Sequence, residues 1–347
     1  MDSGMIQDEL CHDLLAKKIK HKLAFDENAD YEPWKEQVRK VFIKLNGLEQ
    51  IAANGSENPN LKIEKVEKFD GYTRTRFTFE SEPGTKIPCY LLVPDTGKEK
   101  YPVAICLQGH TTGFHLSIGE FKQDWEKDRY GLDKAFALQA VEHGFAALAI
   151  EQRAMGEREI KNPKRNTGVC CEHAAVTAIL LGRTVIGERV WDVHKAIDLL
   201  DEFPQCDKEK IMVLGCSGGG TAAYYSACYD ERIKLCMSAV ALCTYEKSIL
   251  HVYHCSCNYI PFVYEYCEMQ DFSCLIAPRK LISQAGKADD IFLFEGTKKA
   301  YSTVEKIYEK AGAKGNCRFV PTEGGHAWNK EANWPAIMQE TKKLNWF

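Results

Sequence analysis

The stretch Ile211-Met212-Val213-Leu214-Gly215-Cys216-Ser217-Gly218-Gly219-Gly220-Thr221 places Gly-x-Ser-x-Gly between an apolar strand-like run and a helical one. That context suits a nucleophile: the serine must sit on a tight turn that exposes its hydroxyl, so its neighbours two positions away must be small. The same turn aims the Gly218 N–H, at a helix N-terminus, toward the point where an oxyanion would form. A glycine-rich phosphate loop is the competing reading, but no Lys follows where such a loop needs it.

A serine hydroxyl needs a base, and the base needs an orienting group. His326, in Pro321-Thr322-Glu323-Gly324-Gly325-His326-Ala327-Trp328, follows an apolar run ending at Val320, and its glycines let an imidazole reach over the end of a sheet. The order serine, acid, histidine points to Gly286-Lys287-Ala288-Asp289-Asp290 for the acid. Asp289 is favoured because it lies three residues after the loop glycine; Asp290 is the alternative. A second oxyanion donor is expected in Gln108-Gly109-His110, where Gly109 permits the bend and the His110 N–H points inward. The chemistry is acyl transfer through Ser217.

The elements that must hold these residues can be read from periodicity. Lys62–Phe69, Arg74–Glu80 and Pro88–Val93 are strands of period two. Val103–Leu107, Ala146–Ile150, Ile211–Cys216, Leu235–Val240 and Lys280–Gln284 are continuous apolar runs, as buried parallel strands should be. Helical patterns at Leu132–His143, Val190–Phe203 and Thr221–Ala227 separate them. The alternation predicts an α/β fold with a mostly parallel central sheet and helices on both faces. An N-terminal helical extension over residues 1–60 is expected, with stripes at Ile6, Leu10, Leu14, Ile19, Leu23 and at Val38, Val41, Phe42, Leu45. Residues 61–347 form the catalytic domain, with a lid or pocket wall within 244–275.

Composition narrows the rest. The 347 residues carry 45 basic and 49 acidic side chains, a net charge of −4, which argues against a nucleic-acid surface. No apolar run approaches the roughly 18 residues of a membrane span. The start, Met1 to Asp8, lacks the order of a signal peptide, so a cytoplasmic protein is expected. In that setting the fifteen cysteines should remain thiols, and Cys106, Cys216 and Cys236 sit in apolar runs as small hydrophobes.

Gln108-Gly109-His110, Ile150-Glu151-Gln152-Arg153-Ala154-Met155-Gly156-Glu157, Leu181-Gly182-Arg183-Thr184, Gly187-Glu188-Arg189-Val190-Trp191-Asp192, the serine turn, the Asp289 loop and Gly325-His326 together resemble the α/β-hydrolase superfamily. More closely they resemble its acetyl xylan esterase and dienelactone-hydrolase-like branch. The resemblance runs from about Tyr101 to Trp328, and Gln108 stands where many relatives carry His. It implies a Ser217–His326–Asp289 triad cleaving esters with small acyl groups, often acetylated sugars. Gln108, Arg153, His254 and Tyr259 are expected to contact such a small-molecule or oligosaccharide ester, with no membrane or nucleic-acid partner. A peptidase or amidase, a C–C bond hydrolase and a non-catalytic ligand-binding protein are the alternatives. The extension is expected to pack over the pocket or to make a dimer contact.

Two cysteine-bearing segments compete with this reading. His251-Val252-Tyr253-His254-Cys255-Ser256-Cys257 has potential metal ligands, but its spacing matches no finger-like pattern and a serine hydrolase needs no Lewis acid. It is read, with Tyr259–Tyr266, as pocket wall, and no metal or cofactor is expected. Cys170-Cys171-Glu172-His173 lies in a loop without a nucleophile turn.

Overall fold

Three hairpin-linked strands, β1 (Lys62–Phe69), β2 (Tyr72–Glu80) and β3 (Lys86–Pro94), pair antiparallel in the computed structural model, which describes residues 8–159 and 171–347. β1 is an edge strand, exposed along nearly all its length, and Lys62, Lys65 and Lys68 discourage a further strand from adding there. The apolar runs become β4 (Tyr101–Leu107), β5 (Ala146–Ile150), β6 (Cys206–Cys216), β7 (Ile233–Ala239), β8 (Lys280–Gly286) and β9 (Cys317–Thr322). These six are mutually parallel, β3 joins β5 antiparallel, and the sheet order is β1-β2-β3-β5-β4-β6-β7-β8-β9.

The helices are α1 (Asp8–Lys18), α2 (Tyr31–Leu45), α3 (Leu48–Ala53), α4 (Asp124–Tyr130), α5 (Phe136–Glu142) and α6 (Glu172–Leu180). They continue with α7 (Val185–Asp198), α8 (Gly218–Tyr229), α9 (Val263–Tyr266), α10 (Phe294–Lys310) and α11 (Lys330–Lys343). Successive side chains of a strand leave on opposite faces, and β4 shows the consequence. Val103, Ile105 and Leu107 enter one core with α2, α3, α7, α8 and α10, whereas Ala104 and Cys106 enter the other with α5 and α11. Burial on both faces explains why β4, β5 and β8 read as unbroken apolar runs.

Two helical expectations shift. The pattern at Leu132–His143 divides into a 3₁₀ turn, Gly131–Lys134, and α5, leaving Leu132 exposed. The helix expected from Val190 begins at Val185, because the Thr184 hydroxyl accepts the Gly187 N–H as an N-cap.

The N-terminal helices divide as well. Trp34, Val38 and Phe42 of α2 and Leu48 and Ile51 of α3 belong to the core shared with the sheet, and Phe42 stacks on Tyr225 of α8 at 5.7 Å. α1 is different: it ends at Lys18, and Leu14 and Leu15 stay exposed. Ile6 lies outside the described residues. No helix of the described residues is long and apolar enough to cross a membrane.

Candidate active site

The strand order reverses at β4, whose neighbours are β5 on one side and β6 on the other. In a parallel sheet that reversal opens a crevice at the carboxyl ends of the strands. The loop after β4 and the turn after β6 both open into it, which brings residues 108–113 against residues 215–219.

Ser217 has φ +60° and ψ −127°, a conformation that costs an L-residue about 1–3 kcal/mol. The flanking glycines make this turn sterically feasible. A Cβ on Gly215 would lie 2.3 Å from the Gly219 carbonyl oxygen, and one on Gly219 would lie 2.1 Å from that of Leu107. The serine is further pinned by its N–H, which donates to the Ala239 carbonyl of β7 at 2.9 Å.

The Ser217 hydroxyl donates to His326 Nε2 at 2.7 Å. His326 Nδ1 donates to Asp289, 3.0 Å from Oδ2 and 3.2 Å from Oδ1. Asp289 Oδ1 also accepts the N–H groups of Ile291 and Phe292 at 2.8 and 2.9 Å, so the carboxylate is held on two sides. Its side chain is 1% exposed, whereas that of His326 is 17% exposed. Asp290 is exposed and takes no part in this chain of hydrogen bonds. Phe292 stacks on the His326 ring with centroids 5.9 Å apart and planes 13° apart, which limits ring rotation.

Gly218 is the first residue of α8, so its N–H has no acceptor within the helix. The His110 ring lies against the Gly218 Cα, where an added Cβ would meet it at 2.7 Å. The loop bearing His110 is braced from beneath. Gln152 donates its side-chain amide to the Gln108 carbonyl, and Gln108 donates its own amide to Glu151. Glu151 also accepts the N–H groups of Phe114 and Glu157 at 3.3 and 3.1 Å. Burial pushes the Glu151 carboxyl up to about 7, against the lowering effect of those two N–H groups.

The four residues expected to contact substrate have different surroundings. Gln108 is buried, with its amide directed to Glu151 instead of the crevice. The Arg153 guanidinium is surrounded by carboxylates: Glu82 at 2.6 Å, Asp192 at 2.9 Å and Glu188 at 3.5 Å. His254 is buried, donates through Nε2 to the Ile291 carbonyl at 3.1 Å and meets Phe292 edge-on, one ring removed from His326. Tyr259 lines a groove of about 430 Å³ with His12, Ile19 and Phe262, and donates to the Ile249 carbonyl.

The His251–Cys257 segment does not act as one unit. His251 contacts Asp13 and the Glu246 carbonyl, and His254 faces Ile291. Cys255 and Cys257 gather instead with His110 and Cys171. No local spacing announced that grouping, because its members come from three separate segments. Cys170 lies outside the described residues.

A family model described as the Abhydrolase family matches residues 4–338. "Putative hydrolase YtaP" of Bacillus subtilis (strain 168) is 25% identical over 247 residues, covering 70% of this chain and 78% of its own. Among solved structures, a "putative acetyl xylan esterase" from Bacteroides fragilis superposes with a TM-score of 0.76 at 16% identity, covering 97% of this chain and 96% of that one. A glucuronoyl esterase from Solibacter usitatus superposes at 0.66 and 15% identity, covering 94% of this chain and 99% of its own. At such identities the structural likeness speaks to fold.

Proposed function

From the premise that this chain belongs to the Abhydrolase family and has the α/β-hydrolase fold, we propose that it is a serine esterase cleaving carboxylic esters with small acyl groups, acetyl esters of sugars foremost. The observation that carries this reading is the 2.7 Å contact between the Ser217 hydroxyl and His326 Nε2, with Nδ1 of the same ring on a buried carboxylate. The two solved structures above are named as esterases, one for acetyl xylan and one for glucuronoyl esters, which favours a carbohydrate ester.

In this reading His326 takes the Ser217 proton as Oγ attacks the ester carbonyl. Asp289 holds the ring in the tautomer with its proton on Nδ1 and stabilises the imidazolium that forms. Charge gathers on the carbonyl oxygen, to which the N–H groups of Gly218 and His110 donate in this reading. His326 returns its proton to the departing alcohol. Water, activated by the same ring, then frees Ser217 from the acyl group.

Hydrolysis of p-nitrophenyl acetate, followed across acyl lengths and against acetylated oligosaccharides, tests the proposal. Rates should fall as the acyl chain lengthens and vanish in Ser217→Ala. Undiminished turnover by that variant, or faster cleavage of matched amides, would overturn it. So would a native chain that resists a fluorophosphonate probe, since a non-catalytic binder would leave its serine unlabelled.

A further inference from the structure

The residues His110, Cys171, Cys255 and Cys257 bring one nitrogen and three sulfurs within 4.8 Å of one another. They come from the loop after β4, the N-cap of α6 and the 3₁₀ turn Ser256–Asn258 with the residue before it. His110 Nε2 and Cys257 Sγ are 3.2 Å apart. A tetrahedral zinc ion bound mainly to thiolates about 2.3 Å away needs ligand atoms about 3.8 Å from each other, which this grouping allows. Sulfur-rich tetrahedral sites favour zinc over hard cations such as magnesium or calcium.

The charge beside the cluster is a second, independent observation. Arg189 is 2% exposed, and among the described residues its guanidinium contacts no carboxylate. It donates to the Arg153 carbonyl, to Cys257 Sγ at 3.2 Å and to Cys171 Sγ at 3.5 Å. A buried cation needs a neighbouring anion, and sulfur supplies the side-chain partners here. Three thiolates, a neutral imidazole and one divalent ion carry a net −1, which the guanidinium balances. His110 is exposed and Cys255 half-buried, so an ion can enter from solvent.

We propose that His110, Cys171, Cys255 and Cys257 form a closed tetrahedral zinc site, with Arg189 as its charge-balancing outer partner. Any thiol still protonated gives its proton to water as the ion binds, so uptake weakens on acidification. The ion would tie the loop after β4 to the two cysteine segments. His110 would then join two functions: its imidazole anchored to the metal, its backbone N–H fixed over the serine turn. That positioning effect rests on the esterase reading above, whereas the binding site does not.

The test uses the full chain, reduced, incubated with Zn²⁺, desalted and measured for bound metal, then repeated with Co²⁺ as a spectroscopic probe. The expected result is about one ion per chain, with the visible bands of tetrahedral cobalt and the near-ultraviolet charge transfer of cobalt–thiolate bonds. Cys257→Ser should lose the ion and most of the charge transfer. His110→Gln, a change at an exposed residue that spares the core, should retain thiolate charge transfer but bind at least tenfold more weakly. A reduced wild-type chain that holds no metal would overturn the proposal, as would equal retention by both variants, which would place the ion elsewhere. Since metal content is read without turnover, an inactive protein that binds zinc would sink only the esterase reading, and an active one without zinc only this site.

Discussion

Two buried polar assemblies lie at the carboxyl ends of the strands, and they treat their charges in opposite ways. Around Asp192, three guanidinium groups (Arg153, Arg158 and Arg183) meet three carboxylates (Glu82, Glu188 and Asp192) at 2.5–3.5 Å. The charges cancel, and the Ser81 hydroxyl adds a 2.6 Å bond to Asp192. Burial raises the Asp192 carboxyl, but Arg153 and Arg158 overcome it and draw it down to about 2. Ser217, His326 and Asp289 form an open chain instead: the carboxylate end is saturated by two N–H groups, and the hydroxyl end faces the crevice. The closed assembly ties together the loops after β2 and β5 and the start of α7. The open one leaves its hydroxyl end toward the crevice. A charged residue in a matching motif is therefore no guide to function until its partners are counted.

The sharpest way to test this contrast is to remove the open end. Ser217→Ala should lower kcat by roughly 10⁴–10⁶-fold with little change in Tm, because a lost hydroxyl leaves no buried charge unpaired. Next in size, Asp289→Asn should cost about 10⁴-fold in kcat by favouring the wrong imidazole tautomer. Asp290→Asn should change the rate by less than about twofold, since solvent screens an exposed charge; equal losses in the two variants would return the choice of acid to its neighbour.

Breaking the closed assembly should have the reverse profile. Asp192→Ala leaves Arg153 and Arg158 without their shared carboxylate, and denaturant unfolding should show a loss of about 3–5 kcal/mol. The fraction that remains folded should keep its kcat; a rate loss beyond the folded fraction would mean that Arg153 reaches the substrate after all.

A second stability effect concerns Glu151 beneath the loop after β4. Its folded value, about 7, lies above its unfolded value near 4.5, so the folded state holds the proton more tightly. Its contribution is complete below the unfolded value, declines as pH rises through 7 and is absent above. A shift of that size corresponds to on the order of 3 kcal/mol. Asp271, also pushed up to about 7 by burial, adds a slope of the same sign. Unfolding free energies measured from pH 4 to 8 should therefore fall less steeply in Glu151→Gln; an unchanged slope would remove Glu151 from the account.

The sheet strands, the serine turn and the loops bearing His326 and Asp289 are legible in the amino-acid order alone, because each is encoded locally. Continuous apolar runs mean burial on both faces, and the closely packed glycines around Ser217 are required by backbone contacts within a few residues and the adjacent strand end. The same reading expected Gln108, Arg153, His254 and Tyr259 to contact substrate; it did not foresee the hydrogen bonds of Arg153, Gln108 and Tyr259 to Asp192, Glu151 and the Ile249 carbonyl. These pairings come from the folded arrangement, because each joins elements whose approach depends on strand order. The same holds for α2 and α3, whose apolar stripes could have served a separate extension but complete the core beside α8. It holds most clearly for His110, Cys171, Cys255 and Cys257, which lie 61, 84 and 2 positions apart in the chain and share no local pattern. Their sulfurs and ring nitrogen meet because parallel strands deliver successive loops to one end of the sheet, where distance along the chain no longer matters.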